Sequence, residues 1–359
     1  MDIRKFVKPN IRSLRAYDAE EIPCKVKLDA NESPYSGLRV QGSGFRVTNI
    51  LKTLNRYPDP QAKALRRVVA NDLGIKPQNI LHGNGSDELI YYLITTFGGP
   101  VLYPVPTFSM YGIISQALGE KKIGIPLEKD FDLEVDNMVR AIKRYRPKLI
   151  FLSSPNNPTG NCFSTDRILK IITATSFRKG ERPFAPTSSL VVVDEAYQSF
   201  SNEKSFLRLL DKYRNLIVLR TLSKIGLAGL RLGFLIANKA IINEVNKVRL
   251  PFNVNSLSQA IAVETMKNKK QMRSYISSII SERNRLLRMM NNISGITPFP
   301  SDANFILFKV PNAVKIYSLL LKKGVLVRDL SGVIENCLRV TVGTPGENAL
   351  FLKTLKEVL

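Results

Sequence analysis

The glycine-rich stretch at residues 221–234, TLSKIGLAGLRLGF, places Lys224 between Ser223 and Arg231. It follows the apolar run 216–219, which is short enough to be a buried strand. A lysine at the end of a buried strand is held near apolar walls, which disfavour its ammonium form and leave the amine available as a nucleophile. The hydroxyl and the guanidinium beside it are groups that bind phosphate. The stretch predicts a nucleophilic lysine beside an anion site, whereas a Ser-Lys pair alone is more often a surface lysine in a loop.

The composition excludes several other kinds of site. The 359 residues include one histidine, His82, which excludes a Ser-His-Asp triad and a metal site built from several histidines. The three cysteines, Cys24, Cys162 and Cys337, are too far apart for a zinc motif, and their odd number does not suit a disulfide framework. No apolar run approaches the ~20 residues of a membrane-spanning helix. The first residues, MDIRKF, lack the apolar core of a signal peptide, so we expect a cytoplasmic protein.

The formal net charge of +23 would suit a protein that binds nucleic acid. The basic residues are spread along the whole chain, however, and no DNA- or RNA-binding motif is present. We therefore interpret the charge as a solvated basic surface that steers anionic substrates, and we do not expect a nucleic-acid partner.

Residues 61–250 alternate between helix-like and strand-like segments. Continuous apolar strands separated by helices predict an α/β fold with a mostly parallel central sheet and helices on both faces. The predicted strands are 79–82, 101–103, 121–127, 148–152, 190–193, 216–219 and 234–236, and the predicted helices are 62–73, 87–97, 108–118, 135–145 and 166–178. Ligands of such sheets bind at the carboxyl ends of the strands.

The chain length predicts two domains. Residues 1–34 contain three prolines and are predicted to form an N-terminal arm, followed by a large domain at 35–257 and a smaller α+β domain at 258–359. The smaller domain is predicted to contain a largely helical segment at 258–292, strands at 304–309, 325–328 and 338–342, and helices at 313–322 and 347–359.

Polar residues follow three of the predicted strands. Gly85, Ser86 and Asp87 open a helix whose N–H groups and dipole form an anion site, although a plain helix cap has the same pattern. The segment SSPNNPTG at 153–160 forms a stiff turn that can direct an amide into the crevice above the sheet.

Asp194 ends the third of these strands. Burying a carboxylate costs several kcal/mol unless a cation or a hydrogen-bond donor meets it. A metal ion or a helix cap would be possible partners. With Lys224 after the next strand, the better partner is the protonated nitrogen of a pyridine ring.

Together these motifs are similar to those of the fold type I aminotransferases that use pyridoxal phosphate. The resemblance covers nearly the whole chain and is carried by NPTG at 157–160, DEAY at 194–197, SK at 223–224 and Arg231. The segments DANESPY at 29–35, RYPD at 56–59, RTLSK at 220–224 and LRVTVGT at 338–344 resemble the histidinol-phosphate aminotransferases in particular. This resemblance implies a homodimer with pyridoxal 5'-phosphate as cofactor. It also implies transfer of an amino group between glutamate and imidazole-acetol phosphate in histidine biosynthesis.

The resemblance also implies a role for individual residues. Lys224 would bind the cofactor covalently and move a proton, Asp194 would keep the pyridine nitrogen protonated, and Tyr197 would complete the catalytic set by hydrogen-bonding the ring oxygen. Further cofactor contacts are implied for Gly85, Ser86, Asp87, Phe108, Asn157, Ser223 and Arg231, and for Tyr57 of the partner subunit. Substrate contacts are implied for Tyr17, Asn31, Arg328 and Arg339.

Two features depart from the common family pattern. Phe108 occupies the stacking position that commonly carries tyrosine, and the loop from Lys224 to Arg231 is one residue shorter. Other interpretations are a related aromatic amino-acid aminotransferase, an enzyme similar to phosphothreonine decarboxylase, and a basic nucleic-acid-binding or regulatory protein on the same fold. Intact Lys224, Asp194 and Asn157 argue against the last, because a binding scaffold has no need of a lysine facing a buried carboxylate.

Overall fold

A computed structural model of the chain describes residues 8–14, 22–36, 54–176 and 189–359. The predicted substrate contact Tyr17, most of the glycine-rich connection at 36–44 and the end of the helix predicted at 166–178 lie outside these residues. Among the described residues, no helix is both long and apolar enough to cross a lipid bilayer.

The strands and helices predicted within the described residues are present in the predicted order, with boundaries that differ by a few residues. The strands are β1 (Val26–Lys27), β2 (Ile80–Asn84), β3 (Val101–Val105), β4 (Lys122–Pro126), β5 (Leu149–Ser153), β6 (Leu190–Asp194), β7 (Leu216–Thr221), β8 (Leu232–Ala237), β9 (Thr297–Pro298), β10 (Phe305–Lys309), β11 (Val325–Leu326), β12 (Arg328–Asp329) and β13 (Cys337–Thr341). The helices are α1 (Pro9–Arg12), α2 (Lys63–Leu73), α3 (Ser86–Phe97), α4 (Met110–Ala117), α5 (Val135–Tyr145), α6 (Thr165–Thr175), α7 (Lys239–Asn246), α8 (Ser256–Lys267), α9 (Lys269–Asn291), α10 (Ala313–Lys322) and α11 (Pro345–Val358).

Seven strands form the central sheet in the order β2-β8-β7-β6-β5-β3-β4. Strands β3 to β7 pair in parallel, and β8 runs antiparallel to both of its neighbours. Every residue of β5, β6 and β8 is buried, because helices cover both faces. Side chains of β5 alternate between two hydrophobic clusters: Ile150 and Leu152 pack in one, and Leu149 and Phe151 in the other. The predicted fold class is confirmed.

The smaller domain contains a four-stranded antiparallel sheet in the order β12-β13-β10-β9. Beside it, β1 near the N-terminus pairs in parallel with β11, so residues predicted to belong to the arm join the sheet structure of this domain. The helical segment predicted at 258–292 is two helices. Asn268 ends α8, and its side chain accepts a hydrogen bond from the backbone of Gln271 at the start of α9. The strand predicted at 325–328 is likewise two short strands, and α1, β1, α7 and β9 were not predicted.

Candidate active site

The predicted catalytic residues lie beyond the carboxyl ends of neighbouring strands. Asp194 is the last residue of β6, where it pairs with Ser153 of β5 and Leu219 of β7. Lys224 lies in the short helical turn Ser223–Ile225 that follows β7. Parallel strands end at the same edge of a sheet, and this topology brings the polar residues of several separate motifs into one crevice.

Asp194 is a buried carboxylate with two hydrogen-bond donors. Burial raises its pKa to about 6, while hydrogen bonds from Tyr111 and from the Ala196 backbone act in the opposite direction. The Tyr111 hydroxyl donates to Oδ2 at 2.7 Å, and the Ala196 N–H donates to Oδ1 at 3.1 Å. Tyr111 lies in α4 and was not among the predicted site residues. Its signal in the sequence is a tyrosine on the apolar face of a helix, where the hydroxyl needs a partner once it is buried.

Lys224 is half-buried beside the side chain of Tyr197. Its Nζ donates a hydrogen bond to the backbone oxygen of Ala30 at 3.4 Å and lies 5.7 Å from the centroid of the Tyr197 ring. The Tyr197 hydroxyl accepts a hydrogen bond from Asn31 Nδ2 at 3.0 Å. Asn31 is itself held by the smaller domain, because its N–H donates to Thr341 Oγ1 at 2.9 Å. The N-terminal segment therefore links the lysine and Tyr197 to the smaller domain.

Arg339 lies in β13 and reaches from the smaller domain to the crevice. Leu338 and Val340, its neighbours along the strand, pack in the hydrophobic core of the smaller domain, so the arginine lies on the opposite face. Its guanidinium donates to Asn157 Oδ1 at 2.5 Å and to the backbone oxygen of Asp29 at 2.7 Å. This places the predicted substrate-binding arginine against the asparagine that is predicted to contact the cofactor ring.

Arg328 lies directly opposite Arg339 in the antiparallel pair of β12 and β13. Residues opposite each other in such a pair point to the same face of the sheet, so two positive charges lie side by side. Arg328 is exposed and Arg339 is buried. Like charges in this arrangement repel each other, and an anion bound between them would relieve that repulsion.

The turn between β2 and α3 forms a candidate phosphate cradle with Arg231. Gly85 has a φ of +83° and no side chain that could cap the first turn of α3, so the first N–H groups of the helix are available to an anion. A Cβ added to Gly85 would lie 2.7 Å from Arg231 Nη2. The shortened loop after Lys224 still brings Arg231 to this turn, where its guanidinium donates to Asp87 Oδ2 at 3.3 Å. Ser223, which precedes Lys224, is buried, and its Oγ accepts a hydrogen bond from Thr221 Oγ1 at 3.0 Å.

The cradle depends on close packing between β8 and this turn. A Cβ on Gly233 would lie 2.6 Å from both Gly85 C and Ser86 N. We expect Gly233→Ala to displace the turn, to lower the free energy of unfolding by about 1–3 kcal/mol, and to weaken phosphate binding. Thermal unfolding and equilibrium binding of pyridoxal phosphate would measure the two effects. Gly229→Ala is the matched control, because no atom lies within 4 Å of a Cβ at that position. Equal affinities in the two variants would contradict the proposed location of the cradle.

Two further predicted residues lie apart from these contacts. Phe108 follows β3, is half-buried and packs its ring against Tyr111, with centroids 5.6 Å apart and planes at 85°. Tyr57 is 82% exposed and stacks on Phe252 with ring centroids 4.5 Å apart. Within the part of the chain that the structure describes, the Tyr57 ring contacts Phe252 and no residue of the crevice, and its contact with the cofactor of a partner subunit stays a prediction.

The donor set suits a phosphorylated pyridine that carries a carbonyl group. The buried carboxylate of Asp194 can pair with a protonated ring nitrogen. The Lys224 amine lies near the Tyr197 ring. The turn at Gly85, which has no room for a Cβ, lies against Arg231. Pyridoxal phosphate combines a basic ring nitrogen, an aldehyde and a phosphate. The residues present therefore fit this cofactor.

Comparisons with known proteins agree with this geometry. The family model for aminotransferase class I and II matches residues 23–355. The chain is 39% identical to the histidinol-phosphate aminotransferase of Caldanaerobacter subterraneus subsp. tengcongensis over 99% of both chains. It is 42% identical to that of Aquifex aeolicus over 98% of both.

Among solved structures, the chain resembles the histidinol-phosphate aminotransferase of Sinorhizobium meliloti in complex with pyridoxal-5'-phosphate, with a TM-score of 0.84 and 23% identity over 98% of this chain and 97% of that one. It has the same fold as the L-threonine-O-3-phosphate decarboxylase of Porphyromonas gingivalis, with a TM-score of 0.77 and 23% identity over 92% of this chain and 98% of that one. These matches confirm the resemblance drawn from the motifs, including the expected enzyme class and cofactor. The chain belongs to the class I and II aminotransferase family.

Proposed function

We propose that the protein transfers an amino group between glutamate and imidazole-acetol phosphate, with histidinol phosphate and 2-oxoglutarate as the other pair of reactants. The observation that carries this proposal is the pair Arg328 and Arg339, which lie opposite each other in β12 and β13, with Arg339 donating a hydrogen bond to Asn157. Two guanidinium groups suit a dianionic phosphate monoester better than a single carboxylate. The curated relatives at 39% and 42% identity support the same substrate, because both are named for histidinol phosphate.

When it is bound, pyridoxal phosphate supplies an electron sink for the negative charge that develops at the substrate α-carbon. The roles of the chain's own residues follow from their positions. Asp194, buried at the end of β6, would hold a proton on the ring nitrogen through the charge of its carboxylate. The turn at Gly85 and the guanidinium of Arg231 would hold the phosphate, and Asn157 and Tyr197 would orient the ring by hydrogen bonds to its oxygen.

Lys224 is proposed to move the proton on and off the substrate. Its Nζ is held near the Tyr197 ring by the hydrogen bond to Ala30. A primary amine in that position can accept a proton from carbon as a base and return it as an ammonium group. The hydrogen bond from Asn31 to the Tyr197 hydroxyl fixes the phenol beside the lysine. Binding, orientation and proton transfer are thus assigned to residues that the fold brings together.

A transamination assay with three amino donors would test the substrate. Histidinol phosphate, phenylalanine and phosphothreonine would each be supplied with 2-oxoglutarate, and glutamate formation would be measured. We expect the highest kcat/KM for histidinol phosphate. A preference for phenylalanine would instead identify an aromatic amino-acid aminotransferase, and release of CO2 from phosphothreonine would identify a decarboxylase. Purified protein that neither absorbs visible light nor turns over any donor would favour a binding protein on this fold.

We also propose that the active unit is a symmetric homodimer in which Tyr57 contacts the cofactor of the partner subunit. This proposal is supported by the 82% exposure of Tyr57, which stacks on Phe252 and is accessible to another chain. The cytoplasmic location, the absence of a nucleic-acid partner and the domain limits at 34 and 257 stay predictions.

Mixed dimers would test the contribution of Tyr57. Neither Tyr57→Ala nor Lys224→Ala homodimers should have an intact site. A hybrid should have one, because the subunit with Lys224 receives Tyr57 from its partner. Random mixing should therefore restore activity to about a quarter of the wild-type level. The control is a chain with both substitutions mixed with an equal amount of Lys224→Ala, which should restore nothing. No recovery in the hybrid, or full activity in a monomer, would contradict the proposal.

A further inference from the structure

Tyr111 occupies a closed position behind Asp194. It is fully buried, and its ring stacks on Phe151 with centroids 4.7 Å apart and planes at 14°. Phe108 packs against the same ring, with centroids 5.6 Å apart and planes at 85°. Contacts with two aromatic side chains restrict the orientation of the Tyr111 ring, whose hydroxyl lies 2.7 Å from Asp194 Oδ2.

The Tyr111 hydroxyl is a permanent donor. Burial, together with the nearby charge of Asp194, raises the pKa of the phenol well above its usual value. The hydroxyl therefore keeps its proton throughout the range in which the enzyme would work. Asp194 accepts this hydrogen bond through Oδ2. An ionised carboxylate is a stronger acceptor than the neutral acid, so the hydrogen bond favours the ionised form of Asp194.

The other groups around Asp194 act in both directions. Asp87 and Glu195 are negative and disfavour its ionisation, as does burial, which is the largest influence. The Ala196 N–H favours the carboxylate through Oδ1. Tyr111 is the side-chain donor to Oδ2 among the described residues, and its loss would move the balance toward the neutral acid.

We propose that Tyr111 is a positioning residue, which keeps Asp194 ionised and in one orientation toward the ring nitrogen of the cofactor. Without the tyrosine, the hydrogen bond from the Ala196 N–H would remain, but the carboxylate would rotate and take up a proton more readily. The inference rests on the proposed function, because it assumes that Asp194 pairs with that nitrogen. Tyr111 would thus contribute to the site from within helix α4.

Tyr111→Phe tests the inference, since the ring and its stacking remain and only the hydroxyl is lost. A hydrogen bond to the carboxylate lowers the pKa of Asp194, so its removal raises that pKa. We expect the acid limb of the kcat/KM–pH profile to move upward by about one pH unit. At pH values well above the pKa of Asp194 in both the wild type and the variant, kcat/KM should change little. In the cofactor-free protein, the infrared band of the protonated carboxyl should persist to higher pH by a similar amount. That band is assigned by its loss in Asp194→Asn.

Tyr103→Phe is the matched control. Tyr103 is a second buried tyrosine whose ring lies 6.2 Å from that of Tyr111, and burial alone raises its pKa. Its substitution should leave both the infrared titration and the pH profile unchanged. Thermal unfolding of the variants would show that each is folded.

The outcomes separate the inference from the function on which it rests. Full activity in Asp194→Asn would overturn the role of Asp194 itself. An inactive Asp194→Asn together with an unshifted Tyr111→Phe would overturn only the role of Tyr111. Addition of Tyr111→Phe to Asp194→Asn should weaken cofactor binding no further, whereas independent, additive losses would also contradict the inference.

Discussion

Lys224→Ala is expected to abolish amino transfer while leaving a folded protein. The substitution removes both the nucleophile that binds the cofactor and the group that moves the proton, so kcat should fall by about 10⁴-fold or more. The side chain is half-buried, and its hydrogen bond to the Ala30 backbone oxygen is long, at 3.4 Å, so its contribution to folding is small. Turnover of histidinol phosphate and thermal unfolding would be measured together, and the melting temperature should change little.

Lys239→Ala, at an exposed lysine that begins α7, is the matched control and should retain wild-type activity. The covalent link gives a second readout. Reduction with borohydride followed by dialysis should leave the cofactor attached to the wild-type chain and to Lys239→Ala, but not to Lys224→Ala. If Lys224→Ala turned over at the wild-type rate, the assignment of the reactive lysine would be wrong.

The sheet and the strand-end residues could be predicted because their signals are local. The apolar run at 190–193 is continuous, and a continuous run indicates a strand that is buried on both faces. Once the strands are placed, the carboxyl ends of parallel neighbours must lie at the same edge of the sheet. The positions of Asp194 and Lys224 at that edge can therefore be predicted. In the sequence, the loop from Lys224 to Arg231 is one residue shorter than the common family pattern. In the structure the left-handed conformation of Arg231, with a φ of +52°, turns the chain directly into β8.

The remaining parts of the site depend on contacts between residues that are distant in the sequence. Arg339 reaches Asn157 across 182 residues, and Asn31 meets Thr341 across 310. Periodicity indicates which face of a strand a residue occupies but not what lies opposite that face. Tyr111 was missed for the same reason: the pattern predicted its helix, whereas its partner Asp194 is set by how that helix packs on the sheet.

The register of β12 and β13 places two arginines opposite each other, where they would share one anion. Arg328 pairs with Arg339, and the same strand pairs Arg339 with Leu307 of β10 on its other side. Arg339 is buried and already donates to two oxygen atoms, so its guanidinium is fixed in one orientation. Arg328 is exposed and its charge is screened by water. The buried arginine is therefore expected to bind the anionic end of every substrate, and the exposed one to add charge where the anion carries two.

Arg339→Ala should accordingly impair both half-reactions, because glutamate presents a carboxylate and histidinol phosphate presents a phosphate to the same guanidinium. Two charge-assisted hydrogen bonds would be lost, and kcat/KM should fall by about 100-fold or more with either donor. Arg328→Ala should lower kcat/KM by about tenfold for histidinol phosphate and much less for glutamate. Arg339→Lys keeps the charge but not the planar fork, and should recover only part of the loss. Lys309→Ala, an exposed cation at the end of β10, is the control and should change neither value. Undiminished efficiency of Arg339→Ala toward both donors would rule out a shared anion site at this arginine.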